Sequence, residues 1–208
     1  TYDAFVVLSY DDPQAKTDYI RAAGDLLDQV EEPFAANIID LLNADSSRTD
    51  EYYDALIAAV DDAVFDADSP VSVDALEQLL ALTEEAQSAA KYFQRPDILH
   101  SITGIQQALV DSGYVGKTNA LPDVVKVVNR ELRDGRPENY RIPDSVPAVA
   151  QTLLQYQSSH RPQDLWHMVT PDFSSTAIWL QLKSGDNQDM SRVIDVLDTY
   201  IADHPLPN

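Results

Sequence analysis

Apolar positions along the chain change period only a few times, and each change predicts an element. "TYDAFVVLSY" is a run of β-branched and aromatic residues halted by "DDP", which predicts a strand over residues 3–10. From residue 16 to residue 93 there is one glycine, Gly24, and apolar side chains recur every third or fourth position. That period predicts helices over 14–30, 33–42, 50–65 and 71–93, parted by "EEP", "NADSSRT" and "DADSP". In the last of these, Leu76, Leu79, Leu80, Thr83, Ala86 and Ala90 make one stripe, the usual mark of a helix packed on a neighbour.

Beyond residue 95 the punctuation is sharper. "RPDILHSITGIQQALVDSG" predicts a helix ended by Gly113, with a short extended piece over 114–117. "LPDVVKVVNRELRDG" has a proline in its first turn, a stripe of Leu121, Val124, Val125, Val128 and Leu132, and a terminating Gly135. A Pro-punctuated connector leads to a helix over 146–156, where Val146, Val149, Ala150, Leu153 and Leu154 follow helical spacing. "STAIWLQLKS" alternates Ile178, Leu180 and Leu182 with Ala177, Trp179 and Gln181, a strand pattern that puts Trp179 and Leu180 on opposite faces. A last helix, 187–201, carries Met190, Val193, Ile194, Leu197, Tyr200 and Ile201 on one side.

Two strands bracketing a long helical middle define an α+β, helix-rich class. Two strands alone do not hold a buried sheet face, so a third is expected from 114–117 or from chain beyond Asn208. No internal repeat is present.

Length and charge narrow the partners. A chain of 208 residues buries roughly 70% of its unfolded surface, enough for a real core, and no apolar run approaches the roughly 20 residues that span a bilayer. The segment therefore reads as soluble, and its start at Thr1 reads as an excised segment or a mature chain. There is no cysteine, so neither disulfides nor thiolate metal sites are available. The formal charge of −21 is lopsided: residues 1–90 hold 21 Asp and Glu against Lys16, Arg21 and Arg48. Such a field disfavours nucleic acid and anionic membranes, and leaves either a solvated acidic face or a surface that docks a basic partner.

Three stretches invite a chemical reading. "WLQLKSGDNQDM" runs from strand through a glycine turn into a helix, with Lys183 and Ser184 at the corner. A phosphate loop needs several glycines and a Lys-Ser/Thr pair inside the helix start; here Gly185 is alone, Lys183 precedes it, and Asp186 and Asp189 already occupy the positive helix end. It reads as a capped corner, with Trp179→Ala expected to cost roughly 3 to 5 kcal/mol if Trp179 is buried. "SSHRPQDLWHM" groups Ser159, His160, Asp164 and His167, but Pro162 interrupts the spacing and no nucleophile elbow is present. Leu165, Trp166 and Met168 are expected to pack inward. Asp66, Asp68, Asp74 and Glu77 echo a calcium loop, yet Pro70 and Val71 stand where a ligand and a glycine are needed, so this reads as a helix start capped by Ser69 or Ser72. Asp61, Asp62 and Asp66 read as surface charges. No catalytic, cofactor-binding or metal-ligating residue is assigned, and no cofactor is expected.

Taken in order, "VGKTNALPDVVKVVNREL", "RIPDSVPAVAQTLLQYQSSHRPQDLWHMVTPDF" and "IWLQLKSGDNQDM" resemble the large soluble loop of bacterial RND-superfamily exporters of the MMPL type, the hydrophobe/amphiphile exporters. Within those proteins they resemble the loop between the seventh and eighth membrane helices. The resemblance implies a porter-like α+β domain over 1–208 with a small sheet of β-α-β type, a family-like region at 95–208, and an acidic helical insertion at 31–94 to which the resemblance does not extend. It further implies a non-enzymatic piece on the periplasmic side of the inner membrane, in a proton-driven exporter of hydrophobic or amphiphilic substrates whose proton relay lies in its membrane helices. Its partners would then be the rest of the transporter, the substrate and, in the full-length protein, further copies. The rival expectation is an acidic helical module that docks a basic partner protein.

Overall fold

The computed structural model describes residues 2–44, 49–158 and 162–207, with the side chains of residues 49, 50 and 162 outside that description. The protein is α+β and rich in helix: eight α-helices and a three-stranded antiparallel sheet are found among the described residues. Among the described residues no helix is long and apolar enough to cross a membrane. The backbone divides into two compact units, Asp11–Lys91 and the pair of segments Thr1–Tyr10 with Tyr92–Asn208. The expected single domain with an insertion at 31–94 thus resolves into two units whose boundaries fall elsewhere.

The helical unit holds α1 (Pro13–Leu27), α2 (Phe34–Leu42), α3 (Thr49–Asp66) and α4 (Pro70–Ala90). Its boundary precedes residue 31 because α1 packs against both α2 and α4, burying Tyr19, Ala23 and Leu27 in the same core as Ile38, Leu56, Val60, Leu76 and Leu79. Asp12 caps α1 by accepting from Ala15 N–H at 2.9 Å, with Pro13 in the first turn where its missing N–H costs nothing. At α4 the expected hydroxyl cap does not form. Ser69 holds the cap position without a side-chain bond, and Ser72 is buried, its Oγ accepting from Glu31 N–H at 3.3 Å.

The second unit holds β1 (Tyr2–Ser9), α5 (Pro96–Asp111), β2 (Val115–Asn119), α6 (Leu121–Leu132), α7 (Val146–Gln157), β3 (Ser175–Leu182) and α8 (Asn187–Asp203). The expected third strand is β2. Strand order is β1-β3-β2, with β3 antiparallel to both neighbours. β1 and β2 therefore run parallel with β3 between them, a split β-α-β arrangement. The alternation in β3 sorts its faces: Thr176, Ile178, Leu180 and Leu182 are buried, while Trp179 is 40% exposed on the open face. Trp179 and Leu180 do lie on opposite faces, but Trp179 is not a core residue. Its ring stands 5.5 Å from Phe5, and its Nε1–H donates to the His167 carbonyl at 3.1 Å.

One side-chain network ties α5 to the sheet and to α6, and a second ties α6 to the 139–141 connector. Gln106, buried on α5, donates from Nε2 to Asp123 Oδ2 at 2.7 Å and to Thr118 Oγ1 at 3.2 Å, and the same Asp123 oxygen accepts from Ala120 N–H at 3.0 Å. Asn129, on α6, is 3% exposed and donates from Nδ2 to the carbonyls of Asn139 at 2.8 Å and Arg141 at 3.0 Å. This pulls α6 round so that Leu132, expected in the stripe, is half exposed. Likewise on α7 Thr152 is buried beside Val149 and Leu153 while Leu154 is exposed, the Thr152 hydroxyl being satisfied by the Ala148 carbonyl at 2.8 Å. Phe173 is a buried residue in the left-handed region, φ 55°. The turn around it is held by Thr170 Oγ1–H donating to Asp172 at 2.6 Å and Ser174 N–H donating to Asp172 at 3.1 Å. Burial raises the Asp172 carboxyl, but those two donors outweigh it and the group sits below the usual carboxylate range.

Candidate functional site

The corner from β3 into α8 behaves as a capped turn. Asp186 accepts from Gln188 N–H at 2.9 Å, and Ser184 Oγ accepts from Asp186 N–H at 3.1 Å. Asp189, in the first turn of α8, pairs with Arg192 at 3.1 Å. Gly185 makes room for a neighbour unrelated to anions: a methyl group there would come within 2.5 Å of the exposed Tyr2 ring, which would have to turn aside. Lys183 continues the ladder, its N–H donating to the Tyr114 carbonyl at 3.0 Å.

Of the four residues grouped in "SSHRPQDLWHM", Ser159 and His160 lie outside the described residues. Asp164 and His167 fall in a 3-10 turn, Pro162–His167. Leu165 is fully buried there, while Trp166 is 39% exposed, meeting Phe173 edge to face at 6.3 Å, and Met168 is half-buried. The inward packing expected of all three holds for Leu165 only. This turn flanks β3 on the side away from β1, so its backbone serves the sheet: Met168 O accepts from Ala177 N–H at 2.7 Å. Asp61, Asp62, Asp66, Asp68, Asp74 and Glu77 are exposed. Among the described residues no three His, Cys, Asp or Glu side chains converge as metal ligands would.

A feature absent from the sequence reading is a shallow open groove of about 360 Å³ between α5 and α8, lined by Ala108, Val196, Thr199, Tyr200 and His204, with Asp195 and Asp203 at its margin. Its walls are mostly apolar, and its volume lies at the low end of ligand sites. Tyr200 shapes it from both sides. Its hydroxyl sits 2.2 Å from where a Cβ on Gly104 would stand, so the glycine in mid-α5 makes room for it. Its ring stacks on His204 at 4.4 Å and 17°. The only sequence signal was Gly104 itself, a residue that costs a helix interior about 1 kcal/mol and so asks for a packing reason.

The chain crosses between its two units at Tyr10–Asp11 and Lys91–Tyr92. Tyr10 and Tyr92 stack at 3.8 Å and 5°, with the Arg95 guanidinium 5.4 Å from the Tyr92 ring and Arg95 paired to Asp97 at 2.7 Å. The Tyr92 hydroxyl donates to the Pro207 carbonyl. In the helical unit Tyr19, Tyr52 and Tyr53 form a second aromatic group, with edge contacts at 5.2 and 5.6 Å. Tyr52 donates to the Leu42 carbonyl at 3.1 Å, and Tyr19 and Thr83 share a hydrogen bond of 3.1 Å.

Comparison with protein-family models, with characterised proteins and with solved structures finds no match for this chain. The site must therefore be read from its own geometry: an apolar groove with acidic margins, an acidic helical unit, and a sheet with an exposed aromatic face.

Proposed function

We propose that the chain is a non-enzymatic periplasmic domain of a proton-driven exporter of the MMPL-type RND class, contributing a contact surface for hydrophobic or amphiphilic molecules. The observation that carries this reading is the groove between α5 and α8. Its apolar walls suit a hydrocarbon portion and its marginal Asp195 and Asp203 suit a polar or cationic head, and it lies within the 95–208 region that bears the resemblance. The helix-rich α+β architecture with a small sheet agrees with what that resemblance implies. The test has two arms. Reading the gene on either side of this segment should find apolar runs of about 20 residues. In cells carrying the whole protein, Ala108→Trp, which fills the groove, should lower export of an amphiphile while the protein's abundance is unchanged. Absence of flanking membrane spans would overturn the reading.

A second reading is favoured by a different observation. The helical unit has 20 acidic residues against Lys16, Arg21, Arg48 and Lys91, and Phe65 near the end of α3 is 90% exposed beside Asp61, Asp62 and Asp66. An apolar anchor in an acidic surround suits a basic, amphipathic partner protein.

A further inference from the structure

The helical unit carries its charge where it opposes the fold. Asp11–Lys91 holds 20 acidic residues against Lys16, Arg21, Arg48 and Lys91, and no histidine, so at most four of its carboxylates can be matched within the unit. Of those described, all but Asp18 are exposed. Some stand at the helix ends that repel them. α1, α2 and α3 carry Asp25, Asp40 and Asp66 in their last turns, where no basic residue stands, and Asp28 follows as the C-cap of α1. A helix C-terminus is the negative end of the aligned peptide dipoles, so a cation there stabilises and a carboxylate destabilises. Asp25, Asp40 and Asp66 belong to no ion pair among the described residues. The first turns of α1, α2 and α4, where a carboxylate would help, hold none. Asp62 with Asp66, and Asp74 with Glu77, add like charges one turn apart.

Against this repulsion stands a thin core. Among the described residues it has fifteen buried apolar side chains, four of them alanine, whereas the sheet-bearing unit has twenty-two with one alanine. Alanine buries little apolar area. The unit with a net charge of −16, against −5 for the rest of the chain, therefore has the weaker opposing force.

Salt sets the reach of that repulsion. A unit of this length has a radius of gyration of about 12 Å, and the screening length is about 30 Å at 10 mM salt, about 10 Å at 0.1 M and about 3 Å at 1 M. At the lowest of these every carboxylate in the unit repels every other, and at the highest only near neighbours do. We propose that the helical unit is a salt-gated fold, ordered where cations screen its carboxylates and unfolding when they are withdrawn, while the sheet-bearing unit stays folded throughout. The crossover falls near about 0.1 M, where the screening length matches the unit's own size. β1 keeps its place in either state. Tyr10 and Tyr92 stack at 3.8 Å where the chain leaves and re-enters its unit, and the closure cost of an unfolded segment between them grows only slowly with length. The cations act as a diffuse atmosphere, since among the described residues no three acidic side chains converge as ligands would. Neither the groove nor a docked partner enters this behaviour.

Far-UV circular dichroism of the 208-residue chain, dialysed from about 1 M to about 10 mM sodium chloride, should lose about half of its helical signal, because α1–α4 hold about half of the helical residues. Tryptophan emission should not move, since Trp166 and Trp179 both belong to the other unit. Hydrogen exchange localises the change: amides of α1–α4 should lose protection at low salt while those of β3, α5 and α6 keep theirs. Sodium, potassium and tetramethylammonium chlorides should act alike at equal ionic strength. Sodium perchlorate should match sodium chloride below about 0.3 M, where screening operates and salting out does not. Asp25, Asp40 and Asp66 changed together to Asn take the unit from −16 to −13, and changed together to Lys, two charges each, to −10. Because self-repulsion grows as the square of the charge, the salt midpoint should fall in that order, by about twofold or more for the lysine variant; the asparagine variant carries the test if the lysine variant fails to fold. Helix unchanged down to about 10 mM salt, tryptophan emission shifting along with helix, a requirement for one particular cation, or a midpoint unmoved by the substitutions each overturns the proposal.

Discussion

Asn129 is the side chain whose replacement tests the packing of the sheet-bearing unit most directly. It is 3% exposed and tethers the 139–141 connector to α6 through two hydrogen bonds, at 2.8 and 3.0 Å. Asn129→Ala removes both donors. Each bond contributes about 1 kcal/mol net, and the lost side-chain volume adds a fraction more, so the expected loss is about 2 to 3 kcal/mol. Asn129→Asp keeps the shape but turns a donor into a carboxylate facing two carbonyl oxygens, which should cost more than the alanine variant at pH 7. The sign with pH follows. An Asp held there has its folded pKa raised above the unfolded value near 4, so its stability is fully present below about pH 4 and is lost as pH rises through the folded pKa. Urea unfolding followed by tryptophan fluorescence reports this unit alone, because Trp166 and Trp179 both belong to it. With a slope of about 1 to 2 kcal/mol per molar urea, the alanine midpoint should fall by about 1 to 3 M. The Asp variant should regain ground on the alanine variant as pH falls. Midpoints within about 0.3 M of the parent for both variants would mean that the connector does not depend on Asn129.

Leu180→Ala should cost about 3 kcal/mol, Trp179→Ala about 2 because its ring is partly solvated, and Asp186→Ala about 1 as a lost helix cap, the order being read from urea midpoints; Trp179 exceeding Leu180 would reverse the assigned faces. Burial, with neighbouring phenols adding to it, pushes Tyr53 up to about 12 and also raises Tyr52; Tyr19 is raised by burial against the weaker opposing effect of Thr83. The raised folded values make their stability contribution complete below pH 10 and lost as pH rises through them, so three of the chain's ten tyrosines should ionise only together with helix loss in the helical unit; all ten forming tyrosinate with helix intact would refute the burial argument.

Much of this fold was legible because periodicity reports which face is buried. The strand at "STAIWLQL", the helix at "LPDVVKVVNREL" and the extended piece after Gly113 all stand where alternation, a first-turn proline and a glycine stop placed them. What misled was the assumption that the buried face is uniformly apolar. On α6 and α7 the inward positions include Asn129 and Thr152, whose hydrogen bonds run to the 139–141 connector and to α7's own backbone, so Leu132 and Leu154 turn outward. The unit boundary at Asp11 was hidden for a related reason: α1 has the same period as its neighbours, and only its packing on α4 says which core it joins. The groove left no trace in the sequence beyond Gly104, since it arises where Tyr200 of α8 crosses Gly104 of α5, residues almost a hundred positions apart.

Charge and apolar exposure are segregated between the two units, and that segregation sorts the binding readings by physics. The helical unit carries a formal −16 from its 20 acidic and four basic residues, whereas the rest of the chain carries only −5. The groove belongs to the nearly balanced unit. Contacts made through the acidic unit draw on a field that is screened within about 8 Å at physiological salt, so they weaken as ionic strength rises. Contacts made through the groove draw on apolar area, which salt leaves alone or strengthens by screening the net repulsion. A partner's response to salt therefore identifies the unit it engages.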